Sequence, residues 1–125
     1  MKIIAITIRS LIGLLLLYAS ISYFFHLIPA QPVPTGNTKI FNDGIAASGY
    51  LMSLVKTVEI TCGLSFVTGK FNKITYILLM PISINILFYH IFLAPKEIPI
   101  ACFLFFGNLF LIYTKWDSYK GLFTA

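Results

Sequence analysis

The chain has 125 residues, enough for one domain, of which 58% are hydrophobic and only 10% charged. A water-soluble domain carries roughly 25% charged residues, so this chain cannot coat a surface that faces water, and its outside must meet lipid. Its net charge is +5, but the basic residues form no run, which argues against a nucleic-acid partner, since that needs a clustered basic face.

A helix that crosses a bilayer needs roughly 20 apolar residues. Four segments meet or approach that length, at about residues 3–28, 44–68, 74–94 and 98–114. The expected fold is therefore all-α, a single integral-membrane domain over residues 1–125 built as a four-helix transmembrane bundle. The first segment opens with Lys2 and Arg9 and continues apolar to Ile28. That run is too long for the hydrophobic region of a signal peptide, so a retained helix is expected. Pro29, Pro32, Pro34 and Gly36 break the chain after it. Asn42 and Asp43 offer capping oxygens for the second helix, and Gly69 stands where a C-terminal glycine is expected. Pro95 and Pro99 bracket the turn before the fourth helix, and a short amphipathic tail follows Lys115.

Lys and Arg near helix ends set orientation. Lys2, Arg9, Lys70, Lys73, Lys115 and Lys120 fall on one side of a four-span chain, against Lys39 and Lys96 on the other. The bias predicts that both termini and the middle loop face the cytoplasm. Tyr76, Tyr113 and Trp116 would mark the inner interface, and Tyr23, Tyr50 and Tyr89 the outer one.

The informative residues are polar groups within apolar helices. Lys56 and Glu59 sit near the middle of the second helix, where a charge costs roughly 2.5–3.5 kcal/mol on insertion scales. At i,i+3 they share a face and can pair, so this face is expected to point into the bundle. Counting about 1.5 Å per residue, Arg9 lies about 9 Å from the inner edge and Glu59 about 15 Å. Arg9 either closes that gap to Glu59 or snorkels to the inner headgroups; Gly13 and Ser20 follow on roughly its face. In the third helix Pro81 removes a backbone donor and predicts a kink. Asn85 falls near the depth of Lys56, and His90 lies in the outer third. Glu59, Lys56, Asn85, His90 and Arg9 are the candidates for ligand binding or proton relay. Asn108, on the fourth helix, and Pro81 belong to helix packing, where polar side chains join membrane helices. Cys62 and Cys102 form no CxxC, and no Cys/His cluster has metal-ligand spacing, so no metal is expected.

The stretches "GYLMSLVKTVEITCGLSFVTGKF" and "LLMPISINILFYHIFLAP", with the prolines of "FFHLIPAQPVP" and the "YKGLF" tail, resemble the DoxX family of small bacterial membrane proteins. The resemblance covers nearly the whole chain and is strongest from Ser48 to Phe123. It implies a four-helix bundle in the bacterial cytoplasmic membrane, linked to quinone-associated electron transfer or to redox homeostasis. Glu59, Pro81, Asn85 and His90 match the family's recurrent polar positions, and a non-covalently bound quinone is the implied cofactor. Cys62 and Cys102 are too far apart in depth, about 9 Å by helix rise, for a dithiol mechanism. Two other function classes fit the same residues: a non-catalytic subunit of a larger membrane complex, and a small proton-coupled carrier that works as a homo-oligomer.

Overall fold

The computed structural model describes residues 2–27 and 33–124. Among them the chain forms six α-helices: α1 (Lys2–Phe24), α2 (Gly36–Ser48), α3 (Leu51–Thr68), α4 (Asn72–Phe92), α5 (Ile98–Thr114) and the single turn α6 (Trp116–Tyr119). Single 3₁₀ turns at Pro95–Glu97 and Lys120–Phe123 precede α5 and follow α6. Helices α1, α3, α4 and α5 are long and apolar enough to cross a membrane, α5 together with the turn that leads into it.

These four helices pack as a ring of neighbours: α1 lies against α3 and α5, and α4 lies against the same two. Ile12 and Leu16 of α1, Cys62 and Phe66 of α3, Tyr76 and Leu79 of α4, and Leu104 and Leu111 of α5 form the core. The outward faces are as apolar as the inside, with Leu14, Leu54, Phe88 and Phe106 all more than half exposed. In lipid this outer surface has no reason to fold inward, so the helices associate through close packing and hydrogen bonds instead. Glycines make that close packing possible. A Cβ on Gly13 of α1 would stand 2.9 Å from the Phe66 Cβ and 3.1 Å from the Gly63 carbonyl oxygen of α3. A Cβ on Gly107 of α5 would meet Ile12 of α1 at 2.8 Å.

The segment expected as one helix over residues 44–68 is two. Gly49 adopts a left-handed conformation (φ 79°) and its N–H bonds to the Ala46 carbonyl, which ends α2. The Ser48 hydroxyl then accepts the Leu51 N–H at 3.0 Å as α3 begins. Asn42 and Asp43 are consequently inside α2 rather than capping a span, and Asp43 pairs with Lys39 one turn earlier. α2 buries no residue. It is tied to the end of α4 by the Thr38 hydroxyl, which donates to the Leu93 carbonyl at 2.6 Å. The Phe41 ring also lies 5.5 Å from that of Tyr89. The first helix ends at Phe24 rather than near Ile28; Ile28, Pro29 and Pro32 lie outside the described residues. Tyr76 also departs from expectation. Its ring turns inward to the core, 3% exposed and edge-on to Phe66, rather than outward.

The starts of α1 and α4 and the end of α5 meet at one end of the molecule, where Lys2, Asn72 and Lys115 line a common cleft. The Tyr119 hydroxyl binds the tail to that end by donating to the Lys73 carbonyl at 2.5 Å.

Candidate functional site

Glu59 is the buried charge of the molecule, 3% exposed in the middle of α3. Its i,i+3 spacing to Lys56 does what the helix geometry predicts: the ammonium nitrogen stands 3.2 Å from Oε2. A second partner comes from the neighbouring helix. Ser20 of α1, fully buried, places its hydroxyl 3.2 Å from the same Oε2 and 2.6 Å from the Leu16 carbonyl. A hydroxyl has one proton to give, so the Leu16 carbonyl and the Glu59 carboxylate share it. When Glu59 is charged it draws that proton; when Glu59 is protonated the hydroxyl can turn wholly to Leu16 and accept from the acid. Ser20 can thus stay hydrogen-bonded to the Glu59 oxygen either as donor or as acceptor. Lys56 is the more open partner, with 19% of its side chain exposed.

The remaining candidates do not gather around Glu59. Arg9 makes no pair with it. Its guanidinium lies over Gly69, where a Cβ would stand 3.2 Å from an Nη, and beside Tyr76. Glu59 has its own cation one turn away, and this removes the drive for Arg9 to reach inward. Asn85 is exposed on the outward face of α4, in line with Pro81 and Phe88, so it does not share a pocket with Glu59. The side of α4 that meets α3 and α5 is taken by Thr75, Tyr76, Leu79, Ser83 and Leu87. His90 sits at the far end of α4. Its Nδ1 is 2.8 Å from the Ile86 carbonyl, an acceptor, so Nδ1 carries the proton and Nε2 faces Glu97 at 3.6 Å.

Asn108 joins helices. Its Nδ2 donates to the Tyr76 carbonyl at 3.0 Å, and its Oδ1 lies 3.4 Å from the Ser83 hydroxyl. The carbonyl that Pro81 leaves without its helical donor is that of Ile77, the residue after the Tyr76 that Asn108 binds.

Two features were not anticipated from the sequence. Ser20 as a partner of Glu59 had a faint signal, its place seven residues beyond Gly13 on the face that meets α3. The other is a cleft of about 610 Å³ between the starts of α1 and α4 and the end of α5, into which Lys2, Arg9, Asn72 and Lys115 converge. Its members come from three distant parts of the chain, and no spacing pattern links them. Among the described residues no group of His, Cys, Asp and Glu could hold a metal ion. No protein-family model, curated protein or solved structure matches the chain.

Proposed function

We propose that the chain is a DoxX-like protein of the bacterial cytoplasmic membrane, a four-helix transmembrane bundle with both ends in the cytoplasm. In this reading its buried Glu59–Lys56–Ser20 cluster handles protons in the service of membrane redox homeostasis. One observation carries it: a carboxylate 3% exposed in the middle of an apolar helix, with a lysine and a serine supplied to it. Ionisable groups at that depth are costly and mark proton and substrate pathways. Glu59 takes up and releases the proton. Lys56 compensates the charge left behind, and Ser20 keeps the carboxyl oxygen hydrogen-bonded in either state.

A quinone headgroup calls for several polar groups converging on one pocket. Asn85 and His90 lie elsewhere, and the facing oxygen of Glu59 already has Lys56 and Ser20 as partners. The residues do not fit a quinone at Glu59, and the cluster acts here on protons alone. Cells in which Glu59→Gln replaces the native chain are expected to lose tolerance to oxidative stress as fully as cells without the chain, at unchanged protein level. Tolerance equal to wild type would overturn the reading.

A second reading, a non-catalytic subunit that assembles with other chains, is favoured by a separate observation. Asn85 presents an amide on the outward face of α4 at membrane depth, where lipid offers it no partner.

A further inference from the structure

The cleft at the end that carries both ends of the described chain is built differently from the apolar surface around it. Lys2 and Arg9 lie seven residues apart on α1, two turns and therefore one face, and Lys115 approaches from the end of α5. The one carboxylate among the described residues that line the cleft, Asp117, stands 3.5 Å from the Lys120 ammonium. Among the described residues, three cations therefore converge with no acid of their own. Two buried polar atoms at the same place have no partner: Nε of Arg9 and Oδ1 of Asn72. An Arg nitrogen is a donor only, and an Asn amide turned by 180° presents its NH₂ in place of its oxygen. Both can then donate to an anion in the cleft.

The depth of the cleft narrows the choice of anion. Arg9 lies about 10 Å along α1 from Lys2, at about 1.5 Å per residue. Ala5 and Ile6 form an apolar wall between them, and Ile6 is open to the surroundings at 43% exposure. A site charged at its mouth and at its floor, with an apolar flank, suits an amphiphile. Basic pockets between membrane helices are a recurrent form of anionic-headgroup site. We propose that this cleft binds a phosphate group, and that an anionic phospholipid supplies it. Arg9 and Lys115 hold the phosphate oxygens, and the glycerol and first methylenes run along Ala5 and Ile6.

The test uses the whole protein, stripped of lipid in detergent and titrated with phosphatidylglycerol, phosphatidylcholine or inorganic phosphate under native mass spectrometry. Phosphatidylglycerol is expected to bind at least about tenfold more tightly than phosphatidylcholine. Arg9→Gln and Lys115→Gln are each expected to remove about that factor, the size of one hydrogen bond to a charged group. Lys96→Gln, which removes the same charge at the opposite end, leaves it unchanged. Lys115 is exposed, so its variant tests the site even where Arg9→Gln disturbs folding. Inorganic phosphate that binds alone and displaces the lipid, with the same dependence on Arg9 and Lys115, would keep the phosphate site and make its source soluble. Equal retention of the two lipids, or a loss in Lys96→Gln matching that in Lys115→Gln, would overturn the proposal.

Discussion

At the scale of single residues, Glu59 and Tyr119 show how geometry selects the partner of a buried polar group. Glu59 has Lys56 from its own helix and Ser20 from the next. Removing Lys56 would leave a carboxylate uncompensated in a low dielectric, which is far costlier than removing both. Tyr119, outside the spans, shows the same for a neutral group. Its hydroxyl is 4% exposed with its residue and donates to the Lys73 carbonyl. Burial, and then the neighbouring Tyr76, push it up to about 12 from its ordinary 10. The folded form therefore holds this proton more tightly than the unfolded one. The stabilisation is complete below pH 10 and is lost as pH rises through about 12. Trp116, the one tryptophan, stacks on Phe123 in the same tail and reports its release. Its fluorescence is expected to change between about pH 10 and 12 in the native chain and to stay flat over that window in Tyr119→Phe. The same transition in both would show that the tail is released by another group.

At the scale of helices, the crossing of α1 and α3 rests on what is missing from Gly13 and Gly63. A methyl group on Gly13 would meet the Cβ of Phe66 at 2.9 Å and a backbone oxygen at 3.1 Å, neither able to move aside without its helix. On Gly63 it would meet the Leu17 side chain first, and on Gly107 the far end of Ile12, both of which can turn away. Overpacking of this kind costs about 1–3 kcal/mol, so Gly13→Ala belongs at the upper end, Gly63→Ala below it and Gly107→Ala lowest. Thermal unfolding in detergent checks the order; Gly107→Ala as damaging as Gly13→Ala would contradict it. The four spans were legible because runs of 18 to 23 largely apolar residues between proline, glycine and charge leave little choice of structure. The Lys56–Glu59 pair was legible because i,i+3 spacing is a local matter. The break at Gly49 was not, because a glycine inside an apolar run is compatible with a continuing helix until its φ is known. Nor was the fate of Asn85 and Arg9. Periodicity says which residues share a face, but not which neighbour that face meets, and Ser20 reaches Glu59 only because α1 happens to lie beside α3.

At the scale of the whole molecule, the four long helices close on one another around Phe66, Leu79, Ile12 and Leu111, and this leaves α4 with a polar residue on its outer side. Asn85 shares that side with Pro81 and Phe88. The same helix spends Ser83 inward on Asn108, so the placement is not a shortage of inward positions. An amide both donates and accepts, and two amides brought together across a two-fold axis satisfy each other, as does one amide against a polar residue of another subunit. Hydrogen bonds between membrane helices contribute about 0.6–2 kcal/mol, which is up to about a thirtyfold change in association. Asn85→Leu keeps the size and removes the cost of leaving an amide in lipid. It should therefore fold at least as well as the native chain and yet assemble less. Native mass spectrometry of protein gently extracted from its own membrane is expected to show the native chain in complexes, with itself or with larger subunits, and Asn85→Leu shifted towards the monomer. A Glu59→Gln variant assembling like the native chain would separate this contact from the buried Glu59 cluster. Identical assembly in the native chain and in Asn85→Leu would mean that the outer face of α4 meets lipid alone.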